Sequence, residues 1–230
     1  MSLLVAVLGA GNIAQQHLPV LKALPECDLV SIVDTNSDTL TESADRFDIP
    51  NRYGSIDDLL DQNRPDAAFV LVSVLHVADV VTRFLTEKIP TFTEKPPGLY
   101  THQTRALANL AKETHTPAMV GVNRRFYSSL IEGRKRLLEE GPIRSVTVDA
   151  HEDIERLRTG TKFPPEVIAR WSAANGIHAL DLLRYFGGDV ASIDAIQQTV
   201  EGPMPDGVTA TLKFENGAHG RAAMDWFAPG

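Results

Sequence analysis

The stretch LLVAVLGAGNIAQQHLPVLKALPECDLVSIVD, residues Leu3 to Asp34, decides the fold. Leu3 to Leu8 is a continuous apolar run, the pattern of a strand buried on both faces of a parallel sheet. Gly9-Ala10-Gly11-Asn12-Ile13-Ala14 follows without a break and satisfies G-x-G-x-x-G/A between a strand and a helix, the context this fingerprint requires. The first glycine permits a tight turn. The second lets backbone approach a pyrophosphate with no Cβ in the way, and the small Ala14 lets helix and strand pack closely. A helix that begins there aims free N–H groups and a positive dipole end at an anion. Gly9, Gly11, Asn12, Ile13 and Ala14 are therefore candidate dinucleotide contacts. Asp34 ends the second strand, where a carboxylate accepts hydrogen bonds from ribose hydroxyls. It favours NAD over NADP, because a 2′-phosphate beside it would meet like charge and Thr35, Asn36 and Ser37 bring no arginine. The plainer alternative is a tight strand–helix turn with a solvated loop aspartate.

Working outward, the same rhythm continues. Helices are predicted over Asp38–Phe47, Ile56–Asp61, Val77–Glu87 and Thr101–Thr114. Strands are predicted at Leu29–Val33, Arg52–Tyr53, Ala67–Val74, Thr91–Thr93 and Ala118–Val122. Strands alternating with crossover helices imply right-handed βαβ units and a doubly wound sheet. Pro19 breaks a local rule, since a proline inside a helix costs about 3 kcal/mol or kinks it. Either the helix bends there or its first half is short.

Beyond Gly121 the rhythm changes. A charged amphipathic helix, Ser128–Glu140, stops at Gly141-Pro142. Ile143–Ala150 reads as a strand, and Val190–Val200, Gly207–Phe214 and Gly217–Asp225 as an antiparallel meander, with Asn216-Gly217 a strong hairpin signal. A helix is predicted over Asn175–Phe186, and the polar segment Asp153–Pro165 is expected to be a mobile loop. The expected organisation is α/β: a Rossmann domain over residues 1–122, then an α+β domain with a largely antiparallel sheet over residues 123–230.

Composition narrows the function classes. The chain has 230 residues and a formal net charge of -8, which argues against nonspecific nucleic-acid binding. No run of about 18 apolar residues suggests a membrane span, and Met1 to Leu8 lacks the basic region and cleavage site of a secretory leader. Cys27 is the only cysteine, so no internal disulfide or thiolate zinc cluster can form. A cytoplasmic setting is expected. The scattered histidines show no metal spacing, and none of the residues is expected to hold a metal. His151-Glu152-Asp153 reads as a solvated strand end. Arg134-Lys135-Arg136, balanced by Glu132, Glu139 and Glu140, reads as a solvated helix face.

The fifth strand ends in Thr93-Glu94-Lys95-Pro96-Pro97-Gly98. Carboxyl ends of strands surround the ligand crevice of a doubly wound sheet, so Lys95 lands near the nicotinamide end. A lysine there is otherwise a common surface charge. Taken together, Gly9-x-Gly11-x-x-Ala14, Asp34, Glu94-Lys95-Pro96, Asn123-x-Arg125-Phe126 and Gly176-x-His178-x-x-Asp181 resemble the glucose–fructose oxidoreductase / inositol dehydrogenase (Gfo/Idh/MocA) family over nearly the whole chain. The resemblance implies an NAD(P)-dependent dehydrogenase that transfers hydride between cofactor and a secondary alcohol of a sugar, cyclitol or related polyol. It places the family's lysine at Lys95 and its histidine near the nicotinamide at His178. It also implies homo-oligomers paired through the second-domain sheet.

The chemistry can be stated without the family. Oxidising an alcohol requires a base within hydrogen-bond reach of the hydroxyl. An ammonium with a pKa of about 10.4 is a poor base at neutral pH, but burial and a nearby positive charge would lower it. With Asn175 as N-cap, His178 would sit in the first helical turn, where the dipole favours the neutral ring. Asp181, three residues on, could then orient it. The alternative is a packed histidine on an apolar helix. Ser73 and His76 could line the cofactor groove, although His76 could simply open the next helix. Arg124, Arg125, Asn175 and Asp181 are candidate substrate contacts, and the two arginines could equally tie the domains together.

Three departures from the family pattern stand out. Many members carry an aspartate four residues before the histidine, and here that position is Ala174. Ser73-Val74-Leu75-His76 lacks the usual proline. The chain also stops where family members continue, which suggests a C-terminal truncation. These points keep two alternatives open: a cofactor-binding regulator or catalytically degenerate paralogue, and a lyase or hydrolase that uses NAD transiently.

Overall fold

A computed structural model describes residues 2–160, 163–200 and 205–228. The chain divides into two compact units, up to Gly121 and from Val122 onward.

The first unit runs β1 (Leu3–Leu8), α1 (Ala14–Ala23), β2 (Cys27–Val33), α2 (Ser37–Arg46), β3 (Asn51–Tyr53), α3 (Ile56–Gln62), β4 (Ala67–Val70), α4 (Val77–Thr86), β5 (Thr91–Thr93), α5 (Thr101–Thr114) and β6 (Ala118–Val120). Its six strands are all parallel, in the order β3-β2-β1-β4-β5-β6. This is the Rossmann order, whose ligand crevice opens where the winding reverses, between β1 and β4.

The apolar run of β1 is explained by its central place. Val5 and Val7 enter one core with Leu18, Leu21, Leu40 and Ala44, whereas Ala6 and Leu8 enter the other with Val81, Phe84, Leu85 and Leu107. Alternate residues serve opposite faces, so both parities must be apolar. Each such fully buried leucine or valine contributes about 1.5–3 kcal/mol relative to exposure.

Pro19 is the sixth of the ten residues of α1 and faces solvent. The helix runs through it, and a proline at that position has no N–H to donate to the Gln15 carbonyl. The structure also shortens the predicted strand Ala67–Val74. Pairing with β1 ends at Leu8↔Val70, and residues 71–76 turn over the carboxyl edge of the sheet.

The second unit contains a 3-10 turn (Asn123–Phe126), α6 (Ser128–Glu140), β7 (Ser145–His151), α7 (Ile154–Gly160), α8 (Pro165–Ile168), α9 (Trp171–Ala174), α10 (Ile177–Gly187), β8 (Val190–Gln198), β9 (Gly207–Phe214) and β10 (His219–Asp225). The sheet order is β7-β10-β9-β8; the meander β8–β9–β10 is antiparallel, and β7 adds in parallel to β10. At the hairpin, Phe214 N donates to Ala218 O at 2.9 Å and Gly217 adopts φ +87°. Glycine takes that left-handed conformation without steric cost. One face of the sheet is apolar, with Ala210, Leu212, Phe214 and Ala222 buried together with Leu183 of α10.

The expected mobile loop at Asp153–Pro165 is corrected by α7. Asp153 Oδ1 accepts the Arg156 N–H at 3.0 Å, and Ile154 is buried. An N-cap and one apolar anchor suffice to start a helix that overall polarity concealed. Residues 161 and 162 of that segment lie outside the described residues. Among the described residues, no helix is long and apolar enough to cross a membrane, and no group of three or more His, Cys, Asp or Glu is placed to hold a metal ion.

Candidate functional site

The glycine turn is clamped at one peptide. The Ala10 N–H donates to Asp34 Oδ2 at 2.7 Å, and the Ala10 carbonyl accepts from Gln15 Nε2 at 3.2 Å and Ser43 Oγ at 3.3 Å. Asp34 Oδ1 accepts the Asn36 N–H at 2.8 Å, so the carboxylate ties the end of β2 to the turn after β1. Gly9 adopts φ +99°, and a Cβ there would lie 2.7 Å from the Leu71 carbonyl oxygen. The turn therefore requires glycine on both dihedral and steric grounds. At Gly11 the Cβ direction is open, with no atom within 4 Å. Among the described residues, the amides of Asn12, Ile13 and Ala14 find no protein acceptor. Unpaired amides at a helix start, beside an open glycine, form an anion cradle.

On the same edge of the sheet stand the ends of β4 and β5. Ser73 and His76 are exposed in the turn after β4, where the Ser73 carbonyl accepts the His76 N–H at 2.8 Å. His76 is the N-cap position of α4 without a side-chain cap bond, so it does open the helix. Glu94 and Lys95 follow β5, and the Lys95–Pro96 peptide is cis. Glu94 Oε2 accepts the Lys95 N–H at 3.1 Å, and Oε1 lies 2.9 Å from His17 Nε2. Burial pushes the Glu94 carboxyl up, but the His17 hydrogen bond, the Lys95 amide and the two neighbouring charges outweigh it and hold the group below its usual range. No sequence motif singled out His17; the available signal was its place one turn beyond Ala14, on the helix that follows the fingerprint.

In the second unit the candidates sort differently. His178 is buried, 6% exposed, in the first turn of α10. The N-cap is Gly176, not Asn175. The Asn175 side chain instead donates to Glu152 Oε1 at 2.6 Å, while Trp171 Nε1 donates to Glu152 Oε2 at 2.7 Å. The charged acceptor fixes the direction of the Asn175 side chain through its NH2 group. Glu152 is thus a half-buried clamp on the α9–α10 corner rather than a solvated strand end. Neighbouring His151 pairs with Asp225 at 2.8 Å.

Asp181 does not orient His178. It takes a two-pronged ion pair from Arg125, with Nε to Oδ2 at 2.8 Å and Nη2 to Oδ1. The planar fork of arginine matches a carboxylate in a way an imidazole cannot. Arg125 also lies over the Tyr185 ring at 5.5 Å. Arg124, beside it, is half-buried, and among the described residues its guanidinium meets no carboxylate. Arg134 is not merely a solvated charge: it donates to the Tyr185 carbonyl at 2.9 Å and covers the same ring at 5.0 Å. Arg136 pairs with Glu132 as the helix-face reading expects.

A doubly wound sheet with a glycine cradle at its switch point defines a Rossmann-type chain with a mixed α+β second unit. Residues 3–122 match the model of an oxidoreductase family with an NAD-binding Rossmann fold, GFO_IDH_MocA, and residues 137–230 match a C-terminal domain of that family. The chain belongs to the Gfo/Idh/MocA family. It is 25% identical over 224 residues to a D-apiose dehydrogenase of Rhizobium rhizogenes, covering 93% of this chain and 63% of that protein. It is 24% identical over 233 residues to a mouse trans-1,2-dihydrobenzene-1,2-diol dehydrogenase, covering 96% and 67% of the two chains. The chain thus spans about two thirds of the length of these curated relatives. Its fold is shared with the crystal structure of an Agrobacterium radiobacter oxidoreductase in complex with NAD+, L-tartaric acid and magnesium, at a TM-score of 0.81 and 23% identity over 100% of this chain and 68% of that one.

Proposed function

We propose that the chain acts as an NAD-dependent oxidoreductase at a secondary alcohol of a sugar, cyclitol or related polyol. In this reading the unit up to Gly121 holds the cofactor and the unit from Val122 serves the substrate. The observation that carries it is the Gly9–Ala14 turn, with three helix-entry amides that find no acceptor among the described residues, an open Gly11 and the Asp34 carboxylate fastened to the same turn.

These residues fit the cofactor. The amides of Asn12, Ile13 and Ala14 would hold its pyrophosphate, and Asp34 its adenosine ribose hydroxyls, which favours NAD over NADP. Ser73, His76, Glu94 and Lys95 stand on the same edge of the sheet. NAD, when bound, supplies the hydride acceptor for alcohol oxidation.

Lys95 takes the proton from the substrate hydroxyl, which requires its neutral amine; exclusion of water and the positive charge of oxidised nicotinamide, when bound, would both favour that form. His178, in a first helical turn where the dipole favours the neutral ring, takes the second proton-handling role. Arg124 offers its guanidinium to substrate oxygens. Arg125, Asp181 and Asn175 shape the second unit through the pairs described above. The names of the relatives, an apiose dehydrogenase and a 1,2-diol dehydrogenase, support a hydroxylated substrate.

The test is NADH formation over a panel of sugars, cyclitols and diols, followed by Lys95→Ala on the best substrate. The variant keeps NADH binding and loses about 10²–10⁴-fold in kcat. Equal turnover in the variant would overturn the role of Lys95.

A buried alanine, Ala174, in place of the family's common aspartate favours a second reading, a cofactor-binding protein without turnover. NADH fluorescence would then respond while no substrate in the panel yielded NADH.

The same proposal includes pairing of two copies through the open face of the second sheet. There Thr147, Asp149, Thr209, Thr211, Lys213 and Arg221 are exposed opposite the apolar face. Sedimentation of the wild type against Thr211→Arg reports whether that face pairs.

A further inference from the structure

The glycine turn is also held from α2, a helix outside the fingerprint. Ser43 is 2% exposed, on the helix face that carries Leu40 and Ala44 into the core. A hydroxyl sunk among apolar side chains costs free energy unless it is hydrogen-bonded. Its Oγ accepts Gln15 Nε2 at 2.8 Å and donates to the Ala10 carbonyl at 3.3 Å, and the same Gln15 amide reaches that carbonyl at 3.2 Å. Two donors thus converge on one backbone oxygen and on each other. The Gln15 amide cannot be turned round in this triangle. Its Oε1 accepts Arg46 Nη1 at 3.2 Å, and a guanidinium can only donate. Arg46 in turn lies over the Phe47 ring, 5.2 Å from its centroid.

What the triangle fixes is a peptide plane. The Ala10–Gly11 peptide is trans, so its N–H points away from the oxygen that Gln15 and Ser43 hold. Among the described residues that N–H finds no acceptor, and the Cβ direction of Gly11 opens onto empty space. Sterics alone do not impose this orientation. Gly11 has a φ outside the left-handed region, yet a glycine enters that region freely, and turning the peptide over needs little more than that change. The turned peptide would offer an incoming phosphate a carbonyl oxygen in place of an N–H, and an anion is bound by the N–H.

We propose that Ser43 and Gln15 are positioning residues for the dinucleotide: by holding the Ala10 carbonyl, they aim the Gly11 N–H at the pyrophosphate, beside the amides of Asn12, Ile13 and Ala14. This role rests on reading the turn as the cofactor cradle, and it adds a control point on α2 that the fingerprint does not contain.

The experiment uses the whole chain labelled with 15N-glycine, the Gly11 amide being assigned by its loss in Gly11→Ala, where a Cβ meets no neighbour. NAD+ or ADP-ribose moves the Gly11 amide proton of the wild type downfield, whereas adenosine, which has no phosphate, leaves it in place. In Ser43→Ala and in Gln15→Met that shift shrinks. Calorimetry then gives about 3–10-fold weaker binding of NAD+ and ADP-ribose, while adenosine, followed by saturation-transfer NMR, binds within about twofold of the wild type. A thermal melt establishes that each variant is folded. Should Ser43→Ala not fold, Gln15→Met, which keeps the length of a half-buried side chain, decides alone. Undiminished NAD+ affinity with a full Gly11 shift in folded variants overturns the inference and leaves the cofactor reading standing. Equal losses for NAD+ and adenosine overturn it too, because general damage to the domain spares neither ligand. A folded wild type that binds none of the three ligands overturns the cofactor reading and the inference together.

Discussion

The Gly9–Ala14 turn and the α9–α10 corner both lead into a helix that carries candidate site residues, and they are built by opposite means. The turn is local. Its conformation follows from two glycines and an alanine between a buried strand and α1, and its main outside support, Asp34, comes from the next strand. The corner is made from a distance. Glu152 reaches from the end of β7 to Trp171 and Asn175, and Arg125 reaches from the 3-10 turn to Asp181. The turn can be read as a motif because its residue types and spacing are fixed, whereas a single glutamate or arginine carries no spacing signal. Distance alone does not separate them: Glu152 lies 19 and 23 positions from its partners, and Asp34 lies 24 from Ala10.

The contrast can be broken most forcefully at Gly9. Gly9→Val places a branched Cβ at φ +99° and against the Leu71 carbonyl. The strain and clash cost about 2–4 kcal/mol of stability, and NAD affinity falls at least ~100-fold. Calorimetry and a thermal melt on the same sample check both. If the variant bound NAD normally, the turn would not be the cradle.

At the corner, Glu152→Ala leaves the Trp171 indole and the Asn175 amide without their shared acceptor. Stability falls by about 2–3 kcal/mol, and turnover falls with it, while NAD affinity is unchanged within about twofold. A large loss of NAD affinity here would show that the two regions are not separable.

Asp34→Ala removes the acceptor of the Ala10 and Asn36 amides and the ribose contact. NAD affinity drops roughly 10-fold, about 1.4 kcal/mol, and the preference over NADP narrows; competition binding with both cofactors measures this.

Arg125→Lys trades the fork on Asp181 for a point charge and costs about 1 kcal/mol, visible as a small shift in the denaturant midpoint with no change in m.

The smallest effect is one of pH. Glu94 is held below the usual carboxylate range: burial opposes this, but the His17 hydrogen bond, the Lys95 amide and their charges prevail. The folded value lies below the unfolded one, so this contribution to stability is complete above the ordinary glutamate pKa of about 4.3 and is lost as pH falls through the folded value. Acid unfolding of wild type and Glu94→Gln, followed by circular dichroism, should converge as the pH drops below about 4. Parallel curves would remove the His17 hydrogen bond from the account.

How much of this was legible follows the same division. The Rossmann half could be read almost element by element, because buried parallel strands have no polar face to blur their pattern and each helix start carries its own signals, such as Asn36 accepting from Asp38 and Thr39. The strand after Ala67 was read too long because apolar Leu71 and Val72 continue it in composition, while pairing with β1 stops at Val70. In the second unit the hairpin at Gly217 was visible as a turn dipeptide. The helix at Ile154 was hidden by its polar residues, and the clamp at Glu152 by a charged strand end that looked solvated. Asp181 was assigned to the nearer His178 on helical spacing, whereas the structure gives it to Arg125, 56 positions away, whose fork fits better. His17 escaped because its partner lies on another strand, and a lone histidine carries no spacing signal.

The central claim is that the turn opening at Gly9 receives the paired phosphates of a nicotinamide dinucleotide, and titration calorimetry of the folded 230-residue chain with NAD+, NADH, NADP+ and NADPH tests it most directly. The account predicts saturable heat with NAD+ and NADH, weaker binding of the 2′-phosphorylated forms, and loss of both in Gly9→Val. Absence of heat with all four cofactors would contradict it.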